Sequence, residues 1–184
     1  MPASNGEVKI TRIVVVLGFF AIPAFAQEPS ASVPSSGGCG ANDAQFDVAT
    51  NKKEHRVAQP DSGKALVYVI EDIERGPTMR VGVDGVWVGA NKGKSYFFFP
   101  VDPGEHQLCT KWQSGVFKKT AERMGSATTL TVEVGKVYYL RIQAYQRSHH
   151  GAYEDWTVKL EPVEAAEGQF LVSSSWFSTS RPKK

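Results

Sequence analysis

Between Met79 and Cys109 the chain reads MRVGVDGVWVGANKGKSYFFFPVDPGEHQLC. Three runs of β-branched and aromatic residues are cut there by Asp84-Gly85, Asn91-Lys92-Gly93 and Asp102-Pro103-Gly104. Runs this short between such turn residues specify an antiparallel meander. Asp84-Gly85 is the sharpest of these signals, because a two-residue type I′ hairpin needs positive φ at both central positions. Met79 to Val83 is therefore expected to pair with Val86-Trp87-Val88.

The flanks extend the pattern. Lys64 to Glu71 (KALVYVIE) is almost continuously apolar, as a central strand buried on both faces would be. Glu74-Arg75-Gly76-Pro77 breaks it with a turn. Glu105 to Lys111 is a strand that points His106 or Leu108 inward, and its register is open from sequence alone. Two of Tyr96, Phe97, Phe98 and Phe99 are expected in the core. Thr128 to Val134 and Val137 to Ala144 alternate with period two around Gly135-Lys136, a second hairpin. Gln113 to Ala127 reads as a loop with a short helical turn near Lys119 to Met124, and Arg147 to Glu154 as another loop. Asp155 to Pro162 is a further strand, and Glu164 to Phe170 resembles one or two helical turns.

The fold class expected is all-β: an antiparallel immunoglobulin-like or prealbumin-like β-sandwich of about seven strands with a short C-terminal helix. It spans residues 61–172. A polar tail over 173–184 is expected to fray unless Trp176 and Phe177 dock.

The N-terminus carries an address. Lys9 and Arg12 precede an apolar core, Ile13 to Ile22, and Ala24-Phe25-Ala26 forms a small-x-small cleavage site before Gln27. Residues 1–26 read as a cleaved signal peptide with its cut between Ala26 and Gln27. The apolar run is too short to span a bilayer, which takes roughly 20 residues, and Pro23 interrupts its end. Residues 27–60 read as a flexible leader containing Cys39, with Phe46-Asp47-Val48 able to dock on the domain. The expected location is periplasmic or secreted, with no stable membrane span after cleavage. Lipidation of Cys39 is the competing export reading, but about a dozen polar residues separate it from the apolar run.

Export bears on the two cysteines. Cys39 and Cys109 are the only thiols, and an oxidising compartment favours their disulfide. Closing so long a loop would stabilise the fold by roughly 4 kcal/mol in the chain-entropy treatment. A buried free Cys109 and a lipidated Cys39 are the alternatives.

No residue pattern specifies a reaction. There is no Gly-x-Ser-x-Gly elbow and no phosphate-binding glycine loop, since Gly82, Gly85 and Gly89 are hairpin glycines. Glu71, Asp72 and Glu74 at a strand end suit solubility and edge protection. His149, His150, Glu154 and Asp155 are the one cluster of metal-ligand types, with His55 or His106 as the only further histidines. The formal charge of +2 argues against nucleic acid, and Lys118-Lys119 reads as solvated charge.

Several stretches together resemble a known family. They are Lys64 to Val69, Val83-Asp84-Gly85 with Val88-Gly89, Tyr96-Phe97, Val101 to His106 and Val134 to Leu140. The chain is similar over about 60–172 to secreted bacterial proteins grouped as domain of unknown function 2846. Its middle part is also similar to PEGA-type modules, in which a VDG…VG…PGEH hairpin closes a small sandwich. The resemblance implies an all-β sandwich outside the cytoplasmic membrane and transfers no catalytic residues.

The functional expectation is therefore an exported, non-enzymatic envelope module without cofactor or metal. It would bind an envelope protein or glycan through a sheet edge, a loop, or aromatics such as Trp112, Tyr145 and Trp176. The alternatives are a metal-dependent hydrolase using His149, His150 and Glu154, and a purely structural envelope protein.

Overall fold

The computed structural model describes residues 39–114, 116–150 and 153–184. The expected signal peptide, its expected cut between Ala26 and Gln27, and the part of the expected leader up to residue 38 lie outside them. The described chain forms β1 (Phe46–Asn51), β2 (Ala65–Glu71), β3 (Thr78–Val83), β4 (Val86–Lys92), β5 (Ser95–Val101) and β6 (Gly104–Trp112). There follow α1 (Lys118–Arg123), β7 (Gly125–Val132), β8 (Val137–His150), β9 (Tyr153–Val163), α2 (Ala165–Ser173) and β10 (Trp176–Pro182).

Two sheets face each other. One runs β1-β10-β5-β2-β8-β9 and the other β4-β3-β6-β7. The all-β sandwich expected from sequence is thus present. Its larger sheet is mixed, because β2 lies parallel to β8 and β10 parallel to β5. The Asp84-Gly85 turn behaves as its chemistry requires, with φ of 50° and 82°.

Strand alternation distributes the core. Ala65, Val67 and Val69 of β2 point between the sheets, where they meet Met79, Val81, Phe97, Phe99, Leu108, Leu140 and Ile142. Leu66, Tyr68 and Ile70 point the other way, onto a second cluster with Tyr96, Leu171, Val172 and Phe177. Strand β2 reads as a continuous apolar run because α2 and residues 54–58 cover its outer face. Truncating a fully buried side chain such as Leu140 to alanine should cost about 2–5 kcal/mol.

The sandwich is closed along both sides by serine hydroxyls. Ala90 of β4 donates its N–H to Ser180 Oγ of β10 at 3.1 Å, and Leu160 of β9 donates to Ser126 Oγ of β7 at 3.0 Å.

Three stretches differ from expectation, and so does the second expected hairpin: β7 and β8 do not pair but lie in different sheets, β7 against β6 and β8 between β2 and β9. Residues 173–184, read as a tail, supply β10, which is inserted between β1 and β5. Both aromatics of that stretch dock: Phe177 is buried in the second cluster, and the Trp176 ring lies under the Lys52 ammonium, 4.1 Å from its centroid. Within the stretch read as leader, Phe46–Asn51 forms β1 against β10. In the stretch read as a loop at 147–154, the described residues instead continue the β8–β9 ladder, with His149 opposite Glu154.

Candidate functional site

The outer face of the four-stranded sheet has an arm laid across it. Cys39 is disulfide-bonded to Cys109 of β6, with Cα atoms 5.6 Å apart, and the chain from 39 to 45 runs from that bond over β3 to the start of β1. Gly82 makes room for it. A Cβ there would lie 2.4 Å from the Cys39 carbonyl oxygen and 3.2 Å from Cys109 Sγ.

Arg80 fixes the arm. Its side chain leaves β3 on the face opposite Met79 and Val81, and Nη1 donates to the carbonyl oxygens of Asn42 (3.1 Å) and Ala44 (2.5 Å). The guanidinium lies over the Trp87 ring, 4.5 Å from its centroid, and Trp87 Nε1 donates to the Ala41 carbonyl at 2.8 Å. Burial lowers the Arg80 pKa and the Asp43 carboxylate pulls it back, so Asp43 acts on Arg80 through charge. Gln113 closes the far end, accepting from the Phe46 N–H at 2.7 Å and donating to its carbonyl at 2.9 Å.

Between the arm, the end of β6 and α1 lies a groove of about 320 Å³. Its walls include Asn42, Asp43, Lys111, Trp112, Ser114 and Ala121. Lys111 Nζ donates to Asn42 Oδ1 at 3.3 Å. Trp112 is half-buried, rooted on the main core and stacked on Phe117 with centroids 6.2 Å apart. The groove thus offers a carboxylate, an amide, an ammonium and a hydroxyl around one indole, a set suited to orienting a polar ligand.

A second concavity, of about 370 Å³, opens on the other side of the molecule, lined by His55, Val57, Tyr68, Tyr139, Gln169 and Val172. One of its two tyrosines is committed elsewhere. Tyr68 Oη accepts from the Ala58 N–H at 2.7 Å and donates to the Ala58 carbonyl at 3.2 Å. Neighbouring Tyr96 donates to the Arg56 carbonyl at 2.9 Å, and burial pushes its pKa up to about 12. These phenols tie down residues 56–58 and leave an apolar lining.

The aromatics singled out from sequence are not gathered in one place. Trp112 lies on β6 in the groove, Trp176 opens β10, and Tyr145 on β8 bonds Gln143 and Glu161 at 2.9 Å each. The side chains of His149, His150, Glu154 and Asp155 are outside the described residues. His55 lines the second concavity. His106 is engaged at both ring nitrogens, Nδ1 with Asp84 Oδ2 at 2.6 Å and Nε2 with the Asp102 carbonyl at 2.7 Å. Among the described residues no three His, Cys, Asp or Glu side chains come together as metal ligands.

Sequence reasoning passed over Arg80, Asn42 and Asp43. The available signal was MRVGV itself: in a strand whose one face is Met79, Val81 and Val83, the other face holds only an arginine and a glycine, a surface shaped to receive a covering segment.

No curated protein and no solved structure matches the chain. The family described as protein of unknown function (DUF2846) matches residues 61–155, from the turn before β2 into β9, and leaves the arm, α2 and β10 outside the match. That match takes in 95 of the 184 residues and includes every stretch on which the sequence resemblance rests, and the chain belongs to the DUF2846 family.

Proposed function

We propose that this protein is an exported, non-enzymatic envelope module, and that the groove beside Trp112 holds a hydroxyl-rich polar ligand, a saccharide unit of an envelope glycan. The observation that carries the reading is the groove's composition. An indole set beside Asn42, Asp43, Lys111 and Ser114 puts apolar surface next to donors and acceptors of both kinds, as a sugar ring presents them. The arm that supplies Asn42 and Asp43 is anchored at both ends, by the disulfide and by β1, so little ordering is left to be lost on binding. The Cys39–Cys109 bond supports the export reading, because such bonds persist in oxidising compartments. Among the described residues no helix is long and apolar enough to cross a membrane.

The test is calorimetric titration of the purified protein with soluble fragments of envelope glycan. Saturable heat is expected, and Asp43→Asn should abolish most of it while the variant keeps a cooperative unfolding transition. Titrations without heat, or an unchanged affinity in Asp43→Asn, would overturn the assignment and leave a purely structural role.

A further inference from the structure

Next to the groove, the connection from β6 to β7 carries two consecutive apolar side chains in solvent. Val116 is 84% exposed and Phe117 61%. They do not dangle. The Phe117 ring stacks on Trp112 with 25° between planes, Trp112 is seated on the main core, and the Phe117 N–H donates to Ser114 Oγ at 2.8 Å. The exposed pair is held out on a braced root.

The helix that follows the pair is basic. Lys119 and Arg123 of α1 are exposed, and neither has an ion-pair partner among the described residues. From Lys111 to Arg123 the sequence holds four basic residues and one acidic, a net +3, whereas the whole chain carries +2. This segment therefore carries a local excess of positive charge.

We propose that this tip docks the protein on an anionic phospholipid surface. Val116 and Phe117 would enter the boundary between headgroups and acyl chains, while Lys119 and Arg123 meet lipid phosphates. An apolar wedge beside cations is the arrangement that interfacial binding requires, and its strength comes from buried apolar area and electrostatic attraction together. A glycan would use the cations and leave the wedge in water. The proposal stands apart from the groove reading, which concerns other side chains.

Cosedimentation with vesicles tests it. The native protein and its variants, prepared with one verified N-terminus, are mixed with vesicles of phosphatidylcholine alone or of phosphatidylcholine with phosphatidylglycerol, at low and high salt. Binding is expected to the mixed vesicles only, weakening as salt rises. Lys119→Gln should weaken it about fivefold, and Val116→Asp by about tenfold or more. Because the Val116 side chain stands in solvent, Val116→Asp should keep its unfolding midpoint, and Asp43→Asn should bind vesicles as the native protein does. Equal binding by Val116→Asp, or no binding of the native protein to anionic vesicles at low salt, overturns the proposal. Vesicle binding lost in Val116→Asp with glycan heats retained would separate the two sites.

Discussion

Replacing Glu71 by Gln isolates the most unusual ionisable group in the fold. Glu71 ends β2 at a position that points between the sheets, is fully buried, and finds no hydrogen-bond partner for either carboxyl oxygen. The turn after it presses directly on the carboxyl group, since a Cβ on Gly76 would lie 2.3 Å from Oε1. Burial raises the pKa well above its ordinary 4.5, and the nearby Gly93 amide offsets only part of that. The folded protein thus keeps a proton that the unfolded chain gives up. Stability must fall as pH rises from the unfolded value towards the folded one, by about 1.4 kcal/mol per pH unit. Glutamine keeps the shape and never ionises, so the variant lacks this slope. Its amide donors bring a desolvation cost of their own, about 1–3 kcal/mol, which is independent of pH. The informative quantity is therefore the difference between native and variant stability, from urea unfolding at constant ionic strength across pH 4 to 8. That difference should swing towards the variant with rising pH. A flat difference would refute the buried, unpartnered carboxyl.

Four further outcomes are expected. Cys39→Ser with Cys109→Ser should lower unfolding free energy by up to about 4 kcal/mol and open residues 40–45 to protease, which peptide mapping would locate. At His106, burial depresses the pKa, but Asp84 and the Asp102 carbonyl together raise it, so the pairing stabilises the fold below the unfolded pKa of about 6.5 and is lost as pH passes through the folded one. Asp84→Asn should accordingly cost more stability at pH 6 than at pH 9 in denaturant titrations, and an equal cost at both would count against the pair. Gly168→Ala should destabilise by about 1–3 kcal/mol despite alanine's helix propensity, since its Cβ would fall 2.1 Å from Tyr139 Cγ and lift α2 off the sheet; a raised melting temperature would contradict that packing. Elemental analysis of the purified protein should find no stoichiometric metal, whereas one equivalent lost in His149→Ala would favour the hydrolase alternative.

What could be read from sequence was what local chemistry specifies. Asp84-Gly85 determines its own turn, and the alternation of Thr128 to Val134 and Val137 to Ala144 determines a face for each residue. Pairings between distant segments were not readable in that way. The parallel contacts of β2 with β8 and β10 with β5 depend on which covered surfaces meet, and nothing near Leu66 names Val137 as its neighbour. Strand β10 escaped notice because SSSWFSTS has hydroxyls where a core strand has aliphatics. In the folded protein Ser175 and Ser178 are buried all the same, and Ser180 joins β10 to β4. The groove was hidden for a related reason: Asn42 and Asp43 become a wall only once Cys39 reaches Cys109 and Arg80 takes the arm's carbonyls.

The insertion of β10 between β1 and β5 also sets an order of events. Among the described residues strand β1 has no other ladder partner in its sheet, and β10 follows every other strand in chain order, so β1 must wait for β10. A chain delivered N-terminus first, whether from a ribosome or through a pore, holds β1 and the outer edge of β5 unpaired until residues 176–182 arrive. Such non-local closure is slow to form. Until those residues arrive the two edges stand open to other strands, so the larger sheet is completed no earlier than β10 is delivered.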